Sequence, residues 1–513
     1  NVELKTKTKM FCDCLNDPDP SPLEDGLLLK PLASQSSKGE GKHPNINVCP
    51  ICLAHPGVLP TINKKAVEAV LKLGLALNSK IPETSKFDRK NYFYPDLPKG
   101  YQISQYDKPL VVGGELNGIG ITRIHLEEDA GRLVHFPDAK SSLVDFNRAG
   151  VPLMELVTEP DIKSGKQAVD FARELQLILR YLDISDADME KGQMRVEVNI
   201  SVSKDSKMGT KAEIKNLNSF RSVGESIDYE VKRQTEILSA QGGSASGGEK
   251  GEAIKQETRG WDDVKKRTVS QRSKEEAHDY RYFPEPDLPP LDLTKFDLEN
   301  FKIEIPELPA QKRERFKEEY GINDSQTEIF IVSKHLGDYY ECAASEITAW
   351  ANIKHQGMTK EEIEKEAHIP GKLHTLAANY LITEFPPLVN ASGLKMDDIQ
   401  NLKVTPESFA ELMVKIFHQE LSSTGAKAVL KEMFETGLTP DEIIRNKDLT
   451  QVSNEDELKQ VVEEIIKSNS KAVEDYKKGK QNALQFLIGQ AMARARGRAN
   501  PQIVEEIFKR ELK

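Results

Sequence analysis

Apolar and polar positions alternate along residues 120 to 129. Ile124 and Leu126 interleave with His125 and Glu127, and Asp129 continues the polar set. A period of two predicts a half-buried strand with His125, Glu127 and Asp129 on one face. A second apolar run, Val151 to Val157, contains one charge, Glu155. A carboxylate in such a run has to be neutral, paired or metal-bound, because a lone buried charge is too costly. Acids converging near Asn147 and Arg148 suit a hard cation such as Mg²⁺, although a surface hairpin with solvated acids gives the same pattern. Met194, Val196, Val198, Ile200 and Val202 alternate with polar residues and predict another strand.

Helical spacing takes over elsewhere. Ala66, Val70, Leu73 and Leu77 share one face of a helix over 63–77. Ser164 to Gln167 fits a capping box opening a helix whose Ala168, Phe171, Leu175, Ile178 and Leu182 recur every three or four residues. Beyond residue 295 strand signals fade. Helices are expected near 310–320, 327–335, 339–354, 406–421, 424–436, 455–469, 471–497 and 501–512. The fold class is therefore α+β: a mixed α/β domain with an antiparallel sheet over 1–295, then all-α domains over 296–403 and 404–513.

Composition narrows this picture. At 513 residues the chain exceeds one core, and a net charge of −11 argues against a generally sticky nucleic-acid binder but not against local basic faces. No apolar run reaches the roughly 20 residues of a membrane helix, and no leader peptide is visible. Five cysteines include two tight pairs, Cys12/Cys14 and Cys49/Cys52. Paired spacing fits a four-sulfur Zn²⁺ knuckle better than a disulfide framework. His43 and His55 are rival ligands that four sulfurs make unnecessary. Residues 17–44 between the pairs have linker composition, as does the Gly/Ser stretch 239–252, which lacks the preceding strand of an amidase nucleophile loop.

Cations and aromatics interleave over residues 86–107, including Lys90, Tyr92 and Tyr94, a mixture suited to an RNA end as well as to an ordinary packed loop. Lys215, Asn218 and Ser219 lie in a segment rich in amides, hydroxyls and cations that can hold phosphates, without a P-loop motif. Arg148 is a further phosphate-binding candidate. Near the end, Arg494, Arg496 and Arg498 form a basic cluster that fits either a polyanion-facing edge or a solvated helix face.

The ordered motifs Asn47-Val-Cys-Pro-x-Cys52, Lys86-Phe-Asp-Arg-Lys-Asn-Tyr-Phe-Tyr-Pro-Asp96, His125-Leu-Glu-Glu-Asp-Ala-Gly131, Asp145-x-Asn-Arg-x-Gly-x-Pro-Leu-x-Glu155, Lys215-Asn-Leu-Asn-Ser-Phe220 and Asp279-Tyr-Arg-Tyr-Phe-Pro-Glu-Pro-Asp287 resemble the GatB family, the B subunits of the aspartyl/glutamyl-tRNA amidotransferases. The likeness spans essentially the whole chain, including a YqeY-like helical end over 404–513. It implies a ligase that works with an amidase subunit and a small third subunit, the A and C components of the complex. Such an enzyme uses ATP and Mg²⁺ to phosphorylate the side-chain carboxyl of Glu-tRNA(Gln) or Asp-tRNA(Asn), and ammonia from glutamine then displaces phosphate. It implies Glu127 and Glu155 as catalytic Mg²⁺ ligands, with His125, Glu128 and Asp129 supporting, and structural Zn²⁺ on Cys12, Cys14, Cys49 and Cys52. The family carries a Gly-Leu-Glu-x-His stretch whose His slot is occupied by Asn1, so a truncated start is expected. The insertions at 17–44 and 239–252 suggest a mitochondrial or plastid form, with bacterial cytoplasm as the alternative. A non-catalytic, zinc-containing tRNA scaffold is the competing reading.

Overall fold

The computed structural model describes residues 1–18, 44–135, 141–205, 207–240, 254–273, 280–354, 368–447, 455–494 and 501–512. It is α+β and divides into two compact units, Asn1–Pro309 and Ala310–Lys513.

The first unit is organised by the strand Ile119–Glu128. It pairs antiparallel with Pro152–Thr158 on one side and Val111–Val112 on the other, and Val2–Glu3 adds to the far edge. The alternation predicted from the sequence is the physical division of this sheet. Ile124, Leu126 and Met154 are fully buried beneath it, while Arg123, His125 and Glu127 stand on the opposite face. Helix Lys64–Ala76 seals the apolar side with Val67, Val70, Leu71 and Leu73, and Asn63 caps it by accepting from the amides of Lys65 and Ala66. Helix Gly165–Tyr181 starts at Ser164 as expected, but Gln167 accepts from the amide of Lys163 rather than completing a reciprocal box.

A second sheet contains Val196–Ile200, Ala212–Leu217, Glu257–Asp262 and Arg267–Ser273. Its middle pair is parallel, because the helix Phe220–Ala240 intervenes as a crossover between those two strands. Residue pairing joins the sheets: Val2 bridges Met194, and Arg195 donates its amide to the carbonyl of Asn1. A small sheet brings Phe283–Pro284 beside Asp88–Asn91 and Tyr101–Ser104.

The described residues of the second unit are helical. One core runs from Phe316 to Ile444 and a second from Leu458 to Leu512. The expected divide at 403/404 falls inside the first core, where the Phe385 ring meets those of both Tyr339 and Phe409. The change of core instead falls between Ile444 and Leu458. The single helix expected over 471–497 is two, Ser470–Lys477 and Gln481–Arg494. Gly479 interrupts them at φ +90°, a left-handed conformation that ends a helix. No described helix is long and apolar enough to cross a membrane.

Candidate metal and carboxylate site

Strand register builds the site. Glu155 lies directly opposite His125, and Leu153 opposite Glu127. One ligand atom from each of His125, Glu127 and Glu155 falls within 4.8 Å of the others. Burial draws the imidazole of His125 down to about 4, so it is neutral at physiological pH, and its Nδ1 is buried with no hydrogen-bond partner. A neutral imidazole with an unbonded ring nitrogen beside two carboxylates is a donor set that fits a divalent cation. Burial pushes the Glu127 carboxyl up, against the opposing pull of Lys90 at 3.7 Å and a hydrogen bond from the Ser104 hydroxyl at 3.1 Å.

The neighbouring acids are held away from this cluster. Asp129 is held below its usual range, against burial, by Arg195, which also donates to Glu3 at 2.7 Å. Burial beside Asp129 pushes Glu3 up to about 7. Glu128 sits on the opposite side of the strand, paired with Lys99 at 2.6 Å and accepting from the amide of Ile103. His125 thus belongs to the cluster, and Glu128 and Asp129 do not.

Tyrosines border the cluster. The Lys90 ammonium lies 5.3 Å from the Tyr280 ring centre and 5.9 Å from that of Tyr92. Tyr282 packs edge-on to Tyr280 and stacks on Tyr106 at 4.5 Å. Tyr280 and Tyr282 belong to the Asp279–Asp287 motif, and the pairing of Phe283 with Arg89 brings them here from nearly 200 residues away, which local sequence pattern does not reveal. Tyr94 is exposed.

Other expected contacts have different employment. Arg148 donates to the carbonyls of Ala130 at 3.0 Å and Gly131 at 2.7 Å, which ties a loop. Ser219 caps the helix Phe220–Ala240 by accepting from the amide of Ser222, and Asn218 donates weakly to Asn216. Lys215 pairs with Glu197 at 3.2 Å. In the second unit Arg494 is exposed and 3.4 Å from Glu464, and Arg496 and Arg498 lie outside the described residues, as does Asp279 of the first unit.

The four cysteines converge. All four sulfurs lie within 4.8 Å of one another, with Cys14 to Cys52 at 4.0 Å and Cys49 to Cys52 at 3.9 Å. Tetrahedral Zn²⁺ with bonds of about 2.3 Å spaces its sulfurs about 3.8 Å apart, so the residues fit that ion. The Cys52 thiol is drawn down by its hydrogen bond with Cys12, which is pushed up in turn. Lys9, fully buried, reaches the Cys52 sulfur at 3.9 Å and donates to the carbonyls of Asn47 at 2.7 Å and Phe146 at 3.3 Å. Asn147 accepts from the amides of Ile46 and Asn47. These bonds fasten the knuckle to the turn before Val151, where Gly150 adopts φ +87°. Asn147 is therefore a clamp on the knuckle and not part of the cation site.

A family model described as the GatB/GatE catalytic domain matches residues 1–299, and one described as the GatB domain matches residues 364–512. The chain belongs to the GatB family, the B subunits of the aspartyl/glutamyl-tRNA(Asn/Gln) amidotransferases. The B subunit from Caldicellulosiruptor bescii is 44% identical over 522 residues, covering all of this chain and 97% of the relative. Those from Thermoanaerobacter pseudethanolicus and Dehalococcoides mccartyi are 42% and 41% identical, each aligned with the whole chain and with 97% of the relative. The His125–Glu127–Glu155 cluster and the four cysteines both lie within the part matched by the catalytic domain of this family. These relatives are bacterial, and the organellar expectation finds no support in them.

Proposed function

We propose that this chain is the carboxyl-activating, tRNA-binding subunit of a glutamine-dependent amidotransferase acting on Glu-tRNA(Gln) or Asp-tRNA(Asn). It would assemble with an amidase subunit and a small third subunit in the bacterial cytoplasm. The observation that carries this reading is the cross-strand cluster of His125, Glu127 and Glu155, with His125 Nδ1 bonded to nothing, inside the part of the chain that matches the catalytic domain of its family.

A side-chain carboxylate is a poor acyl donor because its leaving group would be oxide. In the proposed reaction one of its oxygens attacks the γ-phosphorus of ATP, a new P–O bond forms, and the bond to the β-phosphate oxygen breaks, releasing ADP. Ammonia then adds to the acyl phosphate carbonyl. The C–O bond breaks toward phosphate, the nitrogen loses a proton, and an amide remains. Such chemistry depends on positioning and charge neutralisation more than on protein nucleophiles. His125, Glu127 and Glu155 would hold Mg²⁺, which offsets charge on the phosphoryl oxygens. Lys90 orients Glu127. Tyr92, Tyr280 and Tyr282 provide faces for the acceptor end of tRNA. Cys12, Cys14, Cys49 and Cys52 would hold Zn²⁺ as a structural clamp, with Lys9 offsetting thiolate charge. A purely structural scaffold gives no reason to bury a neutral, unbonded imidazole nitrogen beside two carboxylates.

The test is transamidation by the complex reconstituted with both partner subunits, ATP and each mischarged tRNA. Glu155→Gln is expected to lower turnover at least about a hundredfold with tRNA affinity retained. Full turnover in that variant refutes the assignment.

A further inference from the structure

The face of the sheet that carries His125 and Glu155 has a second row beside them. Arg123 pairs with Val157 on one side and Val112 on the other, and Val112 bridges Lys80. Arg123 and His125 are two residues apart on one extended strand, about 7 Å along the chain, with their side chains on the same face. Arg123 is close enough to His125 for its charge to act on the ring.

The guanidinium of Arg123 has no protein partner among the described residues. Its Nε is buried and without a hydrogen-bond partner, and among the described residues it makes no ion pair. Other arginines of this unit behave differently. Arg89 grips Glu285, Arg195 grips Asp129 and Glu3, Arg259 grips Glu257, and Arg148 donates to two carbonyls. A buried donor left open on a positively charged fork is poorly accounted for by packing, and guanidinium geometry matches phosphate oxygens. Lys80 ends the same row, exposed and without an ion partner among the described residues.

We propose that Arg123 is the phosphoryl anchor of this site: its guanidinium binds the terminal phosphate of the nucleoside triphosphate beside the His125–Glu127–Glu155 cluster. The inference rests on the reading that this cluster activates a carboxylate with ATP. Arg123 lies where it can hold the group being transferred while the carboxylate–imidazole cluster faces it from the neighbouring row.

The experiment uses the complex reconstituted with both partner subunits and compares the parent with Arg123→Gln, Arg123→Lys and Glu155→Gln. ATP and AMP affinities are measured by direct titration, and KM for ATP and for aminoacyl-tRNA by transamidation. Arg123→Gln is expected to weaken ATP binding about 10- to 100-fold, the range for losing a hydrogen bond to a charged group. AMP affinity and the KM for aminoacyl-tRNA should stay within twofold, and Arg123→Lys should recover part of the loss. ATP affinity unchanged in Arg123→Gln overturns the inference. A rise confined to the KM for aminoacyl-tRNA also overturns it and assigns the residue to a tRNA phosphate. If Glu155→Gln retains full turnover, the reading of the cluster fails, and the anchor fails with it. Loss of turnover in Glu155→Gln with an indifferent Arg123→Gln removes only the anchor.

Discussion

Replacing Lys90 with Met tests how the charge of Glu127 is held. The Met side chain keeps an apolar stem against Tyr92 and Tyr280 and removes only the ammonium. Lys90 and Glu127 are 3.7 Å apart, with side chains 21% and 5% exposed. At an effective dielectric of about 20, that separation corresponds to a gross attraction of about 4.5 kcal/mol. Breaking a buried pair by removing one partner costs about 3–5 kcal/mol if the remaining charge stays ionised. Glu127 has an escape, because burial already pushes its carboxyl up and the loss of Lys90 pushes it further. The folded variant then binds a proton that the unfolded chain releases above its ordinary carboxyl range. Stability therefore falls as pH rises through that interval, by about 1.4 kcal/mol per unit at most. The expected result is a larger loss at pH 8.5 than at pH 6. Urea unfolding measures this. The chain has two tryptophans, so Trp350→Phe leaves the buried Trp261 as the reporter of the first unit. Equal losses at the two pH values would refute the reasoning.

Three further outcomes are expected. Metal analysis of the purified chain should find about one Zn²⁺, and Cys14→Ser should lose most of it and lower the melting temperature; a folded, metal-free parent contradicts this. Asn147→Leu deprives the amides of Ile46 and Asn47 of their acceptor, which should destabilise the first unit by about 2 kcal/mol and speed metal release to a chelator; release at the parent rate contradicts the clamp. His374 is buried in the second unit and its pKa is lowered by burial. The folded form resists the proton that the unfolded form accepts, so this contribution is intact above about pH 6.5 and is lost as pH falls below it. His374→Phe should flatten the melting curve of that unit, followed through Trp350, between pH 7.5 and 5.5, and an unchanged slope contradicts the assignment.

The polar face of Ile119–Glu128 was legible because one side of the sheet is core, which forces strict alternation at Ile124 to Glu127. Glu155 was legible as an outlier in an apolar run. What local pattern could not supply was pairing across distance. Lys90, on a strand of the small sheet, meets Glu127, on the central strand of the first sheet, and Tyr280 and Tyr282 arrive through the pairing of Phe283 with Arg89. Composition also says nothing of competition for hydrogen bonds: backbone groups of nearby turns and of a helix start already engage Arg148, Asn147 and Ser219. Helical periodicity ran through Gly479 because neighbouring residues keep the spacing, whereas the left-handed φ there breaks the helix.

The central claim is that the cluster of His125, Glu127 and Glu155 serves phosphorylation of the tRNA-borne carboxylate. The most direct measurement charges tRNA with glutamate labelled with ¹⁸O in its side-chain carboxyl and follows the label during transamidation by the reconstituted complex. One labelled oxygen should appear in each phosphate released, and Glu155→Gln should abolish that transfer. Amide formed with unlabelled phosphate would contradict the account.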